Sequence, residues 1–440
     1  MYRKTRKSPS ARVSRVATAT VAVAALVSVA GTASAAQSRA DGSDVRAECE
    51  ENTGAVCYTA DQIRTAYGID KLAAKGLTGK GRTIAVIDPV GAPNALKDLE
   101  SYSTKMGLPK PDLKIVQHKP EEGKAAPFDW TDEGDVGAAQ EVTMDLAAVH
   151  TVAPDAKIVL HQMNVAFDES GGDSLLDLVK ALGDVYENNS ADVVTMSLGL
   201  PEGGVNAAAN KDLYTSAAPV FAAAAQEGIT TVASSGDQGV FDPNGSADGK
   251  ANVRTVDWPS SDPSVTAVGG TRITLDDQGK RTKADVVWND EGASGGGPSM
   301  IFSRPGYQAS GTAARAASNG HRAVPDISLT ASPQAGMTVP FTDRDGTDWN
   351  SVGGTSLSAP LFAGMVALAA QQKGDSLGNV NPKLYALAAT PEDGAKAGIT
   401  DITSGVNGQD GYPAGLGYDM ATGLGTVDAS KLVPALAGKS

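Results

Sequence analysis

Cysteine and histidine are scarce in this chain. Its 440 residues include two cysteines, Cys49 and Cys57, and four histidines, His118, His150, His161 and His321. No His or Cys cluster stands at ligand spacing, which argues against a zinc site. Basic residues are also in deficit, 37 Lys and Arg against 51 Asp and Glu, for a formal net charge of −14. That balance argues against nucleic acid or an anionic membrane as partner. An apolar run of the roughly 20 residues needed to span a bilayer is missing too. The nearest approach is residues 16 to 30, mostly Ala and Val, which follow Arg3, Lys4, Arg6, Lys7, Arg12 and Arg15 and precede Ala33-Ser34-Ala35. Basic start, short apolar stretch and small-residue cleavage site together read as a signal peptide over residues 1–36, with no convincing twin-arginine pattern. Its removal takes the formal charge from −14 to −20 by deleting six basic residues. The expected product is secreted, extracellular, free of the membrane and monomeric. In that compartment a disulfide between Cys49 and Cys57 is favoured, with two unpaired thiols as the alternative. Repeats and low-complexity linkers are absent, so a short extension (37–56) and one large domain (57–436) are expected.

What the chain does contain is an alternation of two patterns. Short β-branched runs at 82–88, 112–117, 156–160, 192–198, 228–234 and 264–270 have the character of buried parallel strands. Helical candidates fill the gaps at 92–106, 136–149, 173–187, 207–227, 357–373 and 381–389. The expected class is α/β, a predominantly parallel central sheet with helices on both faces.

The most informative stretch is Ser351 to Pro360, SVGGTSLSAP, followed by the apolar run 361–370. Gly353 and Gly354 leave room for a substrate backbone, Thr355 and Ser356 are helix-capping types, and Pro360 suits a first helical turn. A Ser356 hydroxyl there sits beside unpaired N–H groups that favour developing negative charge. The competing reading is an ordinary capped core helix. Glu141 and Asp145, four apart in the mostly apolar segment 138–154, fall on one helix face. If partly buried, such a pair shares a proton; if exposed, it is a solvated acidic face. Asp237 follows a buried-strand pattern in TTVASSGDQGV (230–240), at the kind of strand end where sites gather. Asp401, followed by Gly415-x-Gly417-x-Asp419, offers carboxylates and main-chain carbonyls that suit calcium, a surface turn being the rival.

Glu141-x-x-x-Asp145, Ser235-Gly236-Asp237 and Gly354-Thr355-Ser356-x-x-x-Pro360, in this order, resemble the sedolisins, or serine-carboxyl peptidases. Matching stretches extend over most of the mature chain, including 58–69, 152–160, 256–271, 294–308, 324–329 and 401–425. The resemblance implies a subtilisin-like fold and hydrolysis of protein or peptide substrates. It implies that Ser356 attacks the peptide carbonyl, Glu141 takes its proton, Asp145 orients and shares a proton with Glu141, and Asp237 stabilises the oxyanion. A carboxylate in place of imidazole, and a protonated Asp237, require acid conditions. The resemblance also implies one structural Ca²⁺ held by Asp401, Asp419 and the carbonyls of Ile402, Gly415 and Gly417. Ser197-Leu198-Gly199 is the implied substrate strand, pairing through main-chain groups.

The sequence departs from the family pattern in two respects. Only about 20 residues separate the expected signal cleavage from the domain, where the family usually carries a long prosegment, so the activation route stays open. Asp88 and Leu198 stand where many relatives have Glu and Trp. Two other readings remain at this point: a catalytically silent secreted binding protein, and a histidine-dependent subtilisin-like peptidase, whose site Asp88 would mimic although its His-Gly-Thr-His turn is missing.

Overall fold

Eight strands assemble into one sheet, most of them buried Val- and Ile-rich runs; the strand at 112–117, expected to be buried, lies at the sheet edge and is largely exposed. The computed structural model describes residues 40–88, 91–118, 128–163, 172–188, 190–203, 207–242, 253–309 and 318–439. The expected signal peptide lies outside these residues. Numbered in chain order, the sheet strands are β1 (Thr83–Asp88), β2 (Asp112–Gln117), β3 (Lys157–Gln162), β4 (Val193–Met196), β5 (Thr230–Ser234), β6 (Val265–Arg272), β7 (Val286–Val287) and β8 (Ile327–Thr330). Their spatial order is β7-β6-β5-β4-β1-β3-β2, with β8 also paired to β6. All pairings are parallel except β6 with β7. β1 therefore lies between β3 and β4. The chain goes from β1 to the edge strand β2, returns to place β3 between them, and then crosses to the other side, a reversal of the kind that opens a crevice at the carboxyl ends of the strands.

Strand alternation sends side chains into two cores. Ile84, Val86, Leu160, Val193, Val232 and Val268 face one, shared with Leu146 and Val149 of α3 (Glu133–Val152) and Leu361 and Met365 of α6 (Thr355–Lys373). Ala85, Ile87, Val194, Met196 and Ala233 face the other, shared with Leu178 and Leu182 of α4 (Gly172–Glu187) and Phe221 of α5 (Ala207–Gln226). The fold is thus α/β, with helices on both faces of a mainly parallel sheet. The two helices that matter most run close together, because a Cβ on Gly364 of α6 would stand 2.6 Å from Val152 of α3.

The helix expected at 136–149 is longer, Glu133–Val152, because Asp132 caps it. The Asp132 Oδ1 accepts from the N–H groups of Gly134 (2.9 Å) and Asp135 (3.0 Å). β4 is shorter than the expected 192–198. It leaves the ladder after Met196, so the main chain of Ser197, Leu198 and Gly199 forms no backbone hydrogen bond among the described residues.

Residues 40–56 are packed into the same compact unit as the rest of the described chain. Helix α1 (Ser43–Thr53) buries Val45 and Cys49, and Cys49 is joined to Cys57 by a disulfide. Strand Val56–Tyr58 then pairs in parallel with Ala335–Met337. That partner belongs to a hairpin, Ala335–Thr342 with Thr347–Val352, whose second strand runs straight into Gly353 and Gly354. Among the described residues no helix is long and apolar enough to cross a membrane.

Candidate active site

Gly354 starts the site. It occupies the position before α6 with φ +84°, a conformation open to glycine, and a Cβ there would lie 2.6 Å from Asp237 Oδ2. Thr355 and Ser356 are the first two helical residues, so α6 begins two residues earlier than the expected 357. Pro360 consequently falls in the second turn and not in the first. The Thr355 N–H and Thr355 Oγ1 both donate to Asp237 Oδ1 at 2.8 Å. The Gly236 N–H in turn donates to Thr355 Oγ1 at 3.1 Å. These bonds bind the loop after β5 to the first turn of α6. The Ser356 N–H makes no hydrogen bond among the described residues and lies at the positive end of the helix.

Asp237 holds its proton above the ordinary carboxyl range because it is buried, against the opposing pull of the Thr355 donors. Both of those donors go to Oδ1, which leaves Oδ2, on the Gly354 side, as the oxygen that can carry a proton. A protonated Oδ2 and the Ser356 N–H are together the elements of an oxyanion-binding pair.

Glu141 and Asp145 project from the buried half of α3. Burial pushes Glu141 up to about 8; the Ser356 side chain opposes this and the charges of Asp88 and Asp237 add to it. Burial likewise raises Asp145 well above its usual range, reinforced by Asp88 and then Glu141. Asp88, the last residue of β1, is fully buried and rises to about 7 through burial. Among the described residues, neither oxygen of Asp88, neither oxygen of Asp145, nor Glu141 Oε1 has a hydrogen-bond partner. Three unpaired buried carboxylates would cost several kcal/mol each, so the group retains and shares protons. Ser197 opposes the Asp145 shift slightly but does not reach a hydrogen bond with it. Its hydroxyl donates instead to the Ser356 main-chain carbonyl at 3.1 Å.

The structure therefore brings Glu141, Asp145, Asp237 and Ser356 to one place and adds Asp88, Thr355 and the Ser197 side chain. Asp88 was visible in the sequence as a substitution; its place in the carboxyl cluster was not. Leu198 is 8% exposed and packs in the α4 and α5 core, so its side chain is turned away from solvent. Gly199 is exposed.

The histidines are elsewhere. His118 Nε2 and His161 Nδ1 are 2.9 Å apart, His150 Nε2 bonds the Pro109 carbonyl at 3.0 Å, and His321 is exposed on a strand. No hydrogen bond joins any of them to Ser356 among the described residues, so the histidine-dependent reading gains no support.

In the C-terminal loop, Asp401 Oδ2 accepts from the Gly417 N–H at 2.8 Å and Asp419 Oδ2 from the Gly415 N–H at 3.0 Å. Asp419 Oδ1 also accepts from Ala421 and Thr422. Burial raises both carboxyls, Asp419 to about 6. Asp401 Oδ1 is buried without a partner, and the carbonyls of Ile402, Gly415 and Gly417 accept no hydrogen bond among the described residues. These are hard oxygen donors of the kind calcium takes. No cluster of three or more His, Cys, Asp or Glu side chains suited to a metal occurs among the described residues, so a cation here would rest on two carboxylates and main-chain oxygens.

The model of the subtilase family matches residues 134–407, which include Glu141, Asp145, Asp237 and Ser356. Sedolisin of Pseudomonas sp. (strain 101) is 30% identical over 373 residues, covering 82% of this chain and 58% of its own length. Kumamolisin of Bacillus sp. (strain MN-32) is 32% identical over 392 residues, 88% of this chain and 65% of its own. The chain thus spans less than two thirds of the length of these curated relatives. The solved structure of Pseudomonas sedolisin, a serine-carboxyl proteinase complexed with two molecules of pseudo-iodotyrostatin, superposes with a TM-score of 0.72 at 28% identity, covering 87% of this chain and 99% of that one. The chain matches the subtilase family and belongs with the sedolisins.

Proposed function

We propose that the protein is a secreted serine-carboxyl endopeptidase that hydrolyses protein or peptide bonds in acid. The observation that carries this reading is the convergence of buried carboxyls on a serine at a helix N-terminus, with no histidine in reach. Ser356 Oγ attacks the scissile carbonyl and its proton passes to Glu141, while the developing oxyanion takes hydrogen bonds from the Ser356 N–H and the Asp237 carboxyl. Glu141 shares protons with Asp145 and Asp88, so that when one member of the group releases a proton the charge is spread over the three carboxyls and a site able to accept the serine proton is opened. The proton then goes to the leaving amine, and water drawn into the same site releases the acyl group. The unpaired main chain of Ser197 to Gly199 suits an extended peptide.

Asp237 donates only while protonated. Its raised value extends the protonated form above the usual carboxylate range, and that form is lost as pH climbs further. Turnover is expected from roughly pH 3 to 5, fading by about pH 6 to 7. A pH-rate profile on denatured protein substrate, with Ser356→Ala as control, tests this; full activity at pH 8 would overturn it.

The C-terminal loop is proposed to hold one Ca²⁺ through Asp401, Asp419 and the carbonyls of Ile402, Gly415 and Gly417. The ion would neutralise buried charge and close the loop, and it takes no part in the chemistry.

A further inference from the structure

Pro360 stands four residues after Ser356 inside α6. In an α-helix the carbonyl of residue i accepts from the N–H of residue i+4, and proline has no N–H to give. The main-chain carbonyl of the serine is therefore deprived of its helical partner, at a point where the helix is otherwise continuous from Thr355 to Lys373. A carbonyl screened from water and left without a donor is destabilising. It is not left alone: Ser197 Oγ lies 3.1 Å from it. A carbonyl oxygen can only accept, so the direction of this bond is fixed by chemistry, with the Ser197 hydroxyl donating.

The donor does not come from the helix or its neighbours in sequence. Ser197 is the first residue after β4 and is itself buried. The hydroxyl also has a carboxyl near it, since Ser197 is felt by Asp145, whose two oxygens remain without hydrogen bonds. Of these two neighbours, only the Ser356 carbonyl is within hydrogen-bond geometry of the hydroxyl among the described residues.

We propose that Ser197 is a positioning residue for Ser356: its side-chain hydroxyl supplies the hydrogen bond that Pro360 cannot, fastening the first turn of α6 to the strand end that receives the substrate backbone. This rests on Ser356 being the nucleophile. Its consequence is that the peptide held along residues 197–199 and the attacking oxygen share one frame, so that the distance between them is set by a single bond between strand and helix. Misplacement by about 1 Å is enough to cost roughly a hundredfold in rate.

The test exploits the proline. Ser197→Ala should lower the single-turnover acylation rate about tenfold or more with KM changed less than about threefold, because ground-state binding uses main-chain groups that the substitution leaves in place. Pro360→Ala returns an N–H to the helix at the required position. Placed in the Ser197→Ala background it should bring acylation back to within about threefold of Pro360→Ala alone, a rescue that general loosening of the site would not produce. A double variant as slow as Ser197→Ala, beside an active Pro360→Ala, overturns the proposal. So does a normal acylation rate in folded Ser197→Ala. Should the proline variants fail to fold, Ser197→Thr and Ser197→Val decide the matter, since they match in shape and differ by the hydroxyl. Thr is expected to acylate at least about tenfold faster than Val, and equal rates overturn the proposal. Failure of the underlying reading looks different: Ser356→Ala would then retain turnover, whatever the residue at 197.

Discussion

Replacing Asp88 by Asn should make the protein less sensitive to rising pH, and the sign follows from where the carboxyl sits. Asp88 is fully buried, neither of its oxygens is hydrogen-bonded among the described residues, and burial lifts it from 3.8 to about 7. In the unfolded chain the same group titrates near ~3.9. Between those values the folded protein keeps a proton that the unfolded chain has already released. The contribution to stability is therefore intact below about pH 4 and is lost as pH rises toward and through about 7. A shift of about three pH units at about 1.4 kcal/mol per unit is on the order of 4 kcal/mol. Asparagine has nearly the same shape and no charge, so it removes the penalty at neutral pH without opening a cavity. The measurement is calorimetric melting at pH 4 and pH 8 in the Ser356→Ala background, which prevents self-digestion, at constant calcium. Both proteins should melt lower at pH 8, since Glu141 and Asp145 are raised in the same direction. The Asp88→Asn protein should lose several degrees less. Equal losses in the two proteins would refute the reasoning.

Amide substitution of Glu141 or Asp237 should cut turnover at least about a hundredfold while circular dichroism and melting in acid stay close to those of the parent. Parent-like turnover in folded Glu141→Gln would remove that residue from the base role. Chelation of calcium, or Asp401→Ala, should lower the melting temperature and shorten the active lifetime with little change in initial turnover by the surviving folded enzyme. An unchanged melting temperature after complete metal removal would speak against a structural ion.

The parts of the molecule that could be read from sequence are those whose signal is local. The strand runs 82–88 and 112–117 coincide with β1 and β2 to within a residue; β1 is buried as expected of a continuous apolar stretch, whereas β2 is an edge strand with Ile115 43% exposed, a position in the sheet that the local pattern does not encode. Ser356 was readable because glycines and capping residues cluster before an apolar helix, and Glu141 with Asp145 because charge is conspicuous on a nearly apolar segment. Boundaries failed where conformation is decided by a contact distant in sequence. The start of α6 at Thr355 depends on Asp237, which takes the Thr355 N–H, and no rule of local pattern contains that partner. The early end of β4 at Met196 follows from the sheet giving way to the crevice. Asp88 in the carboxyl cluster requires knowing that β1 lies inside the sheet, between β3 and β4 and against α3, which is a matter of topology. The Ser197 bond had a sequence clue, the proline four residues after the serine, but its donor arrives from 159 residues away.

The parallel pairing of Val56–Tyr58 with Ala335–Met337 has a consequence for the order in which the molecule is made. These partners are separated by more than half of the chain, and loop-closure entropy must be met before such a contact stabilises anything. The hairpin they complete leads directly into Gly353, Gly354 and Ser356. During synthesis the amino-terminal strand emerges first and has to wait for nearly the whole domain before it finds its partner. The serine end of the proposed site is therefore the last part to be specified as the chain emerges, since Glu141 and Asp145 precede by far the strand that leads into Ser356.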